Sequence, residues 1–94
     1  MKPPSEQVIA GLVARDLLTT VAIICARRGI TVHDLCSPTR TKAVSYARHE
    51  IWWTLRCHPH RHYSYFEIAR LFGFDHSSVF YGVAAHLRRI EDPL

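Results

Sequence analysis

Apolar positions recur at helical spacing along most of the chain. Val8, Ile9, Leu12, Leu17, Val21, Ile24 and Cys25 return every three or four residues. That period predicts one helix, or two broken near Gly11–Asp16, running from a cap at Ser5 to about Arg28 after a flexible start at Met1–Pro4. Gly29 follows two arginines and suits the residue just past a helix C-terminus. Thr31-Val-His-Asp34 places a cap residue three before an acid and opens a short helical turn through Leu35–Cys36. Ser37–Lys42 (SPTRTK) is a Pro-containing basic loop. Helical spacing returns over Ala43–Arg56, with Val44, Ala47, Ile51 and Leu55 on one face and Arg48, His49 and Trp52 turned elsewhere. Cys57–Tyr63 (CHPHRHY) is a loop. Strand-like alternation is absent, so the predicted class is all-α.

The last third of the chain is the most regular. Ser64-Tyr-Phe-Glu67 is a capping box that opens a two-turn helix, Tyr65–Phe72, with Ile68, Ala69 and Phe72 as its buried face. Gly73 ends it, and Asp75 caps a second helix over about His76–Arg89, whose predicted inward stripe is Val79, Val83, Leu87 and Ile90. Two helices joined through a tight glycine turn, with small Ala69 at the crossing, make a helix-turn-helix pattern.

Composition narrows the partner. The 94 residues suffice for a single domain, read as an N-terminal helical segment over 1–28 and a core over 31–90. Apolar residues are 48% and charged residues 21%, an ordinary globular balance. The net charge of +4 is uneven: residues 35–74 hold six basic and two acidic side chains, which alone accounts for it. A basic band on a small domain points to an anionic partner, nucleic acid or a membrane surface. The apolar run around Val21–Cys25 is far too short to span a bilayer, and MKPPSEQ lacks the apolar core of a signal peptide. Three cysteines without a CxxC pair suit a reducing compartment, and the expected location is cytoplasmic.

The motif then becomes specific. Glu67-Ile-Ala-Arg-Leu-Phe-Gly73 followed by Asp75-His-Ser-Ser-Val79 resembles the C-terminal duplex-DNA-binding domain of the bacterial replication initiator DnaA. There an E-I-G/A-x-x-F-G segment precedes D-H-[ST]-[ST]-V at the start of the recognition helix. Val32-His-Asp-Leu35, Ser37, Arg40, Lys42, Val44 and Arg48 follow the order of the same family, and the likeness covers about residues 21–90. The resemblance implies a compact helical domain of the Trp-repressor-like kind, with double-stranded DNA as partner. It implies base contacts from His76, Ser77 and Ser78, and from Arg40 in the adjacent minor groove. Arg48 and His49 match a pair contacting base or phosphate, and Lys42 and Arg56 match phosphate contacts. Independently of the family, Asp75 as cap places His76, Ser77 and Ser78 in the first helical turn, where base edges are read. Tyr81 and Arg88 lie on the same outward side of that helix as Ser77.

The chain also departs from the family pattern. Its turn Gly73-Phe-Asp75 is one residue shorter than the common form, and Phe74 stands where Arg is frequent. Ser77 and Ser78 replace threonines, Ala84 and Ala85 replace basic residues, and Ala47 replaces a proline. The docking mode is therefore expected to persist with a changed site preference. No G-x-x-x-x-G-K-[ST] loop is present, so ATP-driven origin melting is not expected of this chain, nor any enzymatic activity or cofactor. Asp75, His76 and Ser77 are consecutive on a helix and point in different directions, which rules out a catalytic relay. His58, His60 and His62 read as exposed loop residues, not metal ligands, and Arg27 and Arg28 as a solvated helix end. Trp52 and Trp53 cannot both face inward. One of them is therefore a candidate surface for a replication or transcription protein, which is the alternative function.

Overall fold

The computed structural model describes residues 4–92, and every regular element among them is helical: α1 (Ser5–Ala14), α2 (Leu18–Arg27), α3 (Val32–Cys36), α4 (Lys42–Arg56), α5 (Tyr65–Phe72) and α6 (His76–Glu91). The expected flexible start falls largely on residues 1–3, outside the described ones. Pro4, extended at ψ 154°, precedes α1 and takes the cap position expected of Ser5. Ser5 is instead the first helical residue, and its hydroxyl meets His33 Nδ1 at 3.2 Å.

The N-terminal helical stretch breaks into two at Arg15–Leu17. Asp16 adopts φ 58°, its N–H donates to the Val13 carbonyl, and the Leu17 N–H donates to Leu12 at 2.8 Å. This is a Schellman turn built on a non-glycine residue, and aspartate tolerates that geometry better than most. Leu12 and Leu17 beside it are both buried. The same turn recurs after α2, where Gly29 (φ 73°) and Ile30 donate back to Ala26 and Cys25. Capping boxes are complete at Thr31/Asp34 and at Ser64/Glu67, so α3 and α5 start where the sequence places them. The capping bond holds the Asp34 carboxyl below the usual range, as it does for Glu67.

One core runs through all six helices, with Leu12, Leu17, Val21, Leu35, Ile51, Leu55, Ile68 and Val79 fully enclosed. The most extensive packing is α4 on α6, followed by α5 on α6; α1 lies against α3 and α5, and α2 against α4. Gly73 (φ 76°) turns α5 into α6, and the N–H groups of Gly73 and Phe74 both donate to Ala69. Cys25 is core, as expected, and burial pushes its thiol up to about 11, which keeps it protonated.

Three sequence expectations are corrected here. The inward stripe of α6 is Val79, Gly82, Val83 and His86, whereas Leu87 is 41% and Ile90 51% exposed. Leu87 lies about 80° around the helix from Val79, and Ile90 lies in the last turn with no helix left to cover it. Arg48 and Trp52, expected to turn away from the core, are both buried. Arg27 and Arg28 are more than a solvated end: Arg27 stays exposed, but both pair with Glu50 on α4, with Arg28 Nε 2.6 Å from its carboxylate. Burial alone pushes the Glu50 carboxyl up, but the two arginines hold it below its ordinary value. Of the two tryptophans Trp52 is the core one, while half-buried Trp53 packs its ring on His86 at 5.1 Å.

Candidate nucleic-acid interface

Asp75 initiates α6 from an extended backbone, and its carboxylate accepts the Ser77 N–H at 3.2 Å. That leaves His76, Ser77 and Ser78 exposed on the first turn. The outward face continues through Phe80, Tyr81 and Arg88, with Tyr81 69% exposed. The His76 ring stacks on Phe66 of α5, with centroids 4.4 Å apart and planes 27° from parallel. Tyr65 and Phe80 meet edge to face at 5.3 Å. The surface beside the first turn is thus aromatic.

Arg40 is exposed on the 37–41 loop, and that loop is built around Arg48. The Arg48 Nε donates to the Leu35 carbonyl at 3.0 Å, Nη1 to Thr39 at 2.9 Å and Nη2 to Ser37 at 2.5 Å. The guanidinium also lies over the Phe74 ring at 5.0 Å, which ties the loop to the turn between α5 and α6. Arg40, Ser45, His49, Phe74 and Ser78 meet around one shallow concavity that Arg48 and Trp52 also line. The loop arginine and the first turn of α6 are therefore brought to the same side of the molecule.

Not every site residue anticipated from sequence is presented outward. Arg48 is buried with its donors committed to carbonyls, a geometry suited to shaping Arg40's loop. His49 is half-buried against Trp52, and its Nδ1 accepts from Arg89 at 3.1 Å while Arg89 lies over Tyr46. Burial first, then the charges of Arg89 and neighbouring groups, push the His49 pKa down to about 4. Arg56 donates to the Tyr63 carbonyl at 2.9 Å and lies over Tyr65, closing the 57–63 loop. Lys42 is exposed in the first turn of α4, where the helix dipole disfavours a cation, so its placement does not serve helix stability. Phe66 and Phe80 are the residues that sequence reading missed. The available signal was the face opposite the core stripe of α6, on which Phe80 follows His76 by four.

Among the described residues no three of His, Cys, Asp and Glu group as a metal site. In the 57–63 loop, His58 packs on Tyr63, and its Nδ1 accepts the His60 N–H at 3.2 Å. No described helix is long and apolar enough to cross a membrane.

Acid should loosen this side of the core. The His86 pKa is also lowered, chiefly by burial. Both rings bind protons more readily in the unfolded chain, whose histidine value is near 6.5. The stability they contribute is fully present above that value and is lost as pH falls toward about 4. We expect a loss of about 2 kcal/mol across that window, allowing for partial solvent access. Urea midpoints at pH 7 and 4.5 measure it, and His49→Gln should flatten the difference.

An all-helical domain whose second motif helix offers an exposed polar first turn, beside a basic loop, is a helix-turn-helix DNA-binding domain. The family model of the bacterial DnaA protein helix-turn-helix matches residues 19–85, and the chain belongs to that family. The match takes in α3 to α5, nearly all of α2 and most of α6, while α1 precedes it. No curated protein and no solved structure matches the chain.

Proposed function

We propose that the chain binds DnaA-box-like sites in double-stranded DNA in a sequence-specific manner, and that it acts by occupying them. Its family is a DNA-binding one. The observation that carries the finer reading is the convergence of exposed Arg40 with Ser78 at the start of α6 around one concavity. In this reading α6 enters the major groove, with His76, Ser77 and Ser78 at base edges, and Arg40 reaches the neighbouring minor groove. Lys42, Arg88 and Tyr81 face the backbone, where phosphate contacts add affinity that carries no sequence information. Arg48, His49 and Arg56 act from behind, holding the loop and the α4–α6 seam.

In this reading the domain acts by competing for the sites it occupies. Occupying initiator sites restrains or redirects replication initiation, and occupying promoters affects transcription. The alternative, a protein-docking module, would have to use half-buried Trp53, which packs on His86, since Trp52 is buried, together with the N-terminal helix.

The test is a gel shift with a DnaA-box duplex against a scrambled competitor. Arg40→Ala with His76→Ala together are expected to lower selective binding at least about tenfold, given 1–3 kcal/mol per good base contact. Both side chains are exposed, so the thermal midpoint should stay put. Unchanged selectivity in the double variant sinks the assignment.

A further inference from the structure

We infer that Phe66 is a positioning residue for His76, holding the imidazole at one angle so that its edge, not its face, meets the DNA. The inference rests on the reading of α6 as the base-reading helix. His76 is the first residue of α6, and its side chain is 50% exposed. The Asp75 carboxylate stands 3.8 Å from Nδ1, too far for a hydrogen bond to orient the ring. The close contact is Phe66, 4.4 Å away between centroids and 27° from parallel. Stacking covers one face of the imidazole while half of the side chain stays open to solvent.

Phe66 is itself well placed for this work. It is 65% exposed, so core packing does not account for it. Its backbone is rigid, because the Ser64/Glu67 capping box fixes the first turn of α5 at 3.0 Å in both directions. The Gly73 turn then sets α5 against α6, so the angle between the two motif helices determines where the imidazole points. A base edge is discriminated only by a donor or acceptor held in the right direction. An imidazole on a rotating side chain loses part of that discrimination to the cost of ordering it.

The experiment begins by selecting a preferred duplex from a random pool with the wild-type chain. Each base pair of that site is then changed singly, and binding is measured for wild type, Phe66→Ala, His76→Ala, the double variant and Phe66→Tyr. His76→Ala should lose about tenfold discrimination at one base pair. Phe66→Ala should lose roughly three-fold or more at that same base pair, from the ordering cost of one side chain. It should have no further effect there once His76 is Ala. Phe66→Tyr, which keeps the stacking ring, should behave as wild type. Equal weakening on every duplex by Phe66→Ala overturns the inference, as does lost discrimination at a different base pair. Full additivity with His76→Ala also overturns it. A wild-type chain that selects no site overturns the DNA-reading function itself, and is distinguishable because it appears before any variant is made.

Discussion

Replacing Arg48 by Ala is expected to lower the unfolding free energy by about 3–4 kcal/mol. The guanidinium donates to three carbonyls in one stretch of chain, those of Leu35, Ser37 and Thr39. Hydrogen bonds from a charged donor contribute about 1.5–3 kcal/mol each, and carbonyls left without a partner in partly buried surroundings add to the loss. Water reaching the opened loop offsets some of it. A domain of this size has only about 5–14 kcal/mol in all, so the variant sits near the margin of folding. Arg48→Lys should recover little, because one ammonium cannot satisfy a fork-shaped set of acceptors. Urea unfolding gives the free energy. Trypsin cleavage after Arg40 or Lys42 reports the loop separately, and it should accelerate in both variants. A midpoint within about 0.5 kcal/mol of wild type, the range of ordinary surface substitutions, would show that the loop closes without this residue.

Gly82→Ala is the second large effect, and its sign runs against helix propensity. In an exposed helix interior alanine is favoured over glycine by about 0.5–1 kcal/mol. At Gly82, however, a Cβ would stand 2.6 Å and 2.8 Å from Trp52 ring carbons and 2.8 Å from His49 Cδ2. Trp52 is 3% exposed and braced edge-on against Phe74 at 5.1 Å, so it has little room to yield. Overpacking of this kind costs about 1–3 kcal/mol, and a net loss of about 2 kcal/mol is expected. Gly11→Ala is the built-in control. Its Cβ meets Leu71 Cδ1 at 2.7 Å, but that atom is the far end of a flexible, half-buried side chain. Gly11→Ala should therefore be neutral or slightly stabilising. Thermal melts followed by circular dichroism should separate the two variants by roughly 8–16 °C. Tryptophan fluorescence should change only for Gly82→Ala.

What was legible in the sequence was what short-range chemistry controls. The capping boxes at Thr31 and Ser64, the αL glycines at 29 and 73 and the cap at Asp75 are satisfied within a few residues, so α3, α5 and the start of α6 follow from local pattern. The break near Asp16 was legible as a region and not as a residue, because the left-handed position is filled by an aspartate. The misplaced residues are polar ones that meet distant partners. Arg48 reads as surface in any periodicity, yet three carbonyls from 9 to 13 positions away converge on it. Glu50 finds Arg27 and Arg28 more than 20 positions away, across two intervening turns. His86 occupies a core position because Trp53 offers a ring to pack on. Gly82 carries no local signal, since its need for hydrogen in place of a methyl comes entirely from α4. At the interface, the DHSS turn was readable from its cap, while the aromatic neighbours of His76 come from another helix.

The arginines that the fold engages internally bear on the DNA binding proposed above. Arg27 and Arg28 bind Glu50, Arg61 binds Glu67, Arg48 and Arg56 serve carbonyls, and Arg89 bridges Tyr46 and His49. These side chains are held in fixed directions before DNA arrives, although only Glu50 and Glu67 offset any of their charge. Under the proposed function, fewer arginine side chains are free to reach phosphates, so binding to arbitrary duplex should fall off only shallowly with added salt. In that reading, recognition would then lean on the fit of a few side chains at the right base pairs.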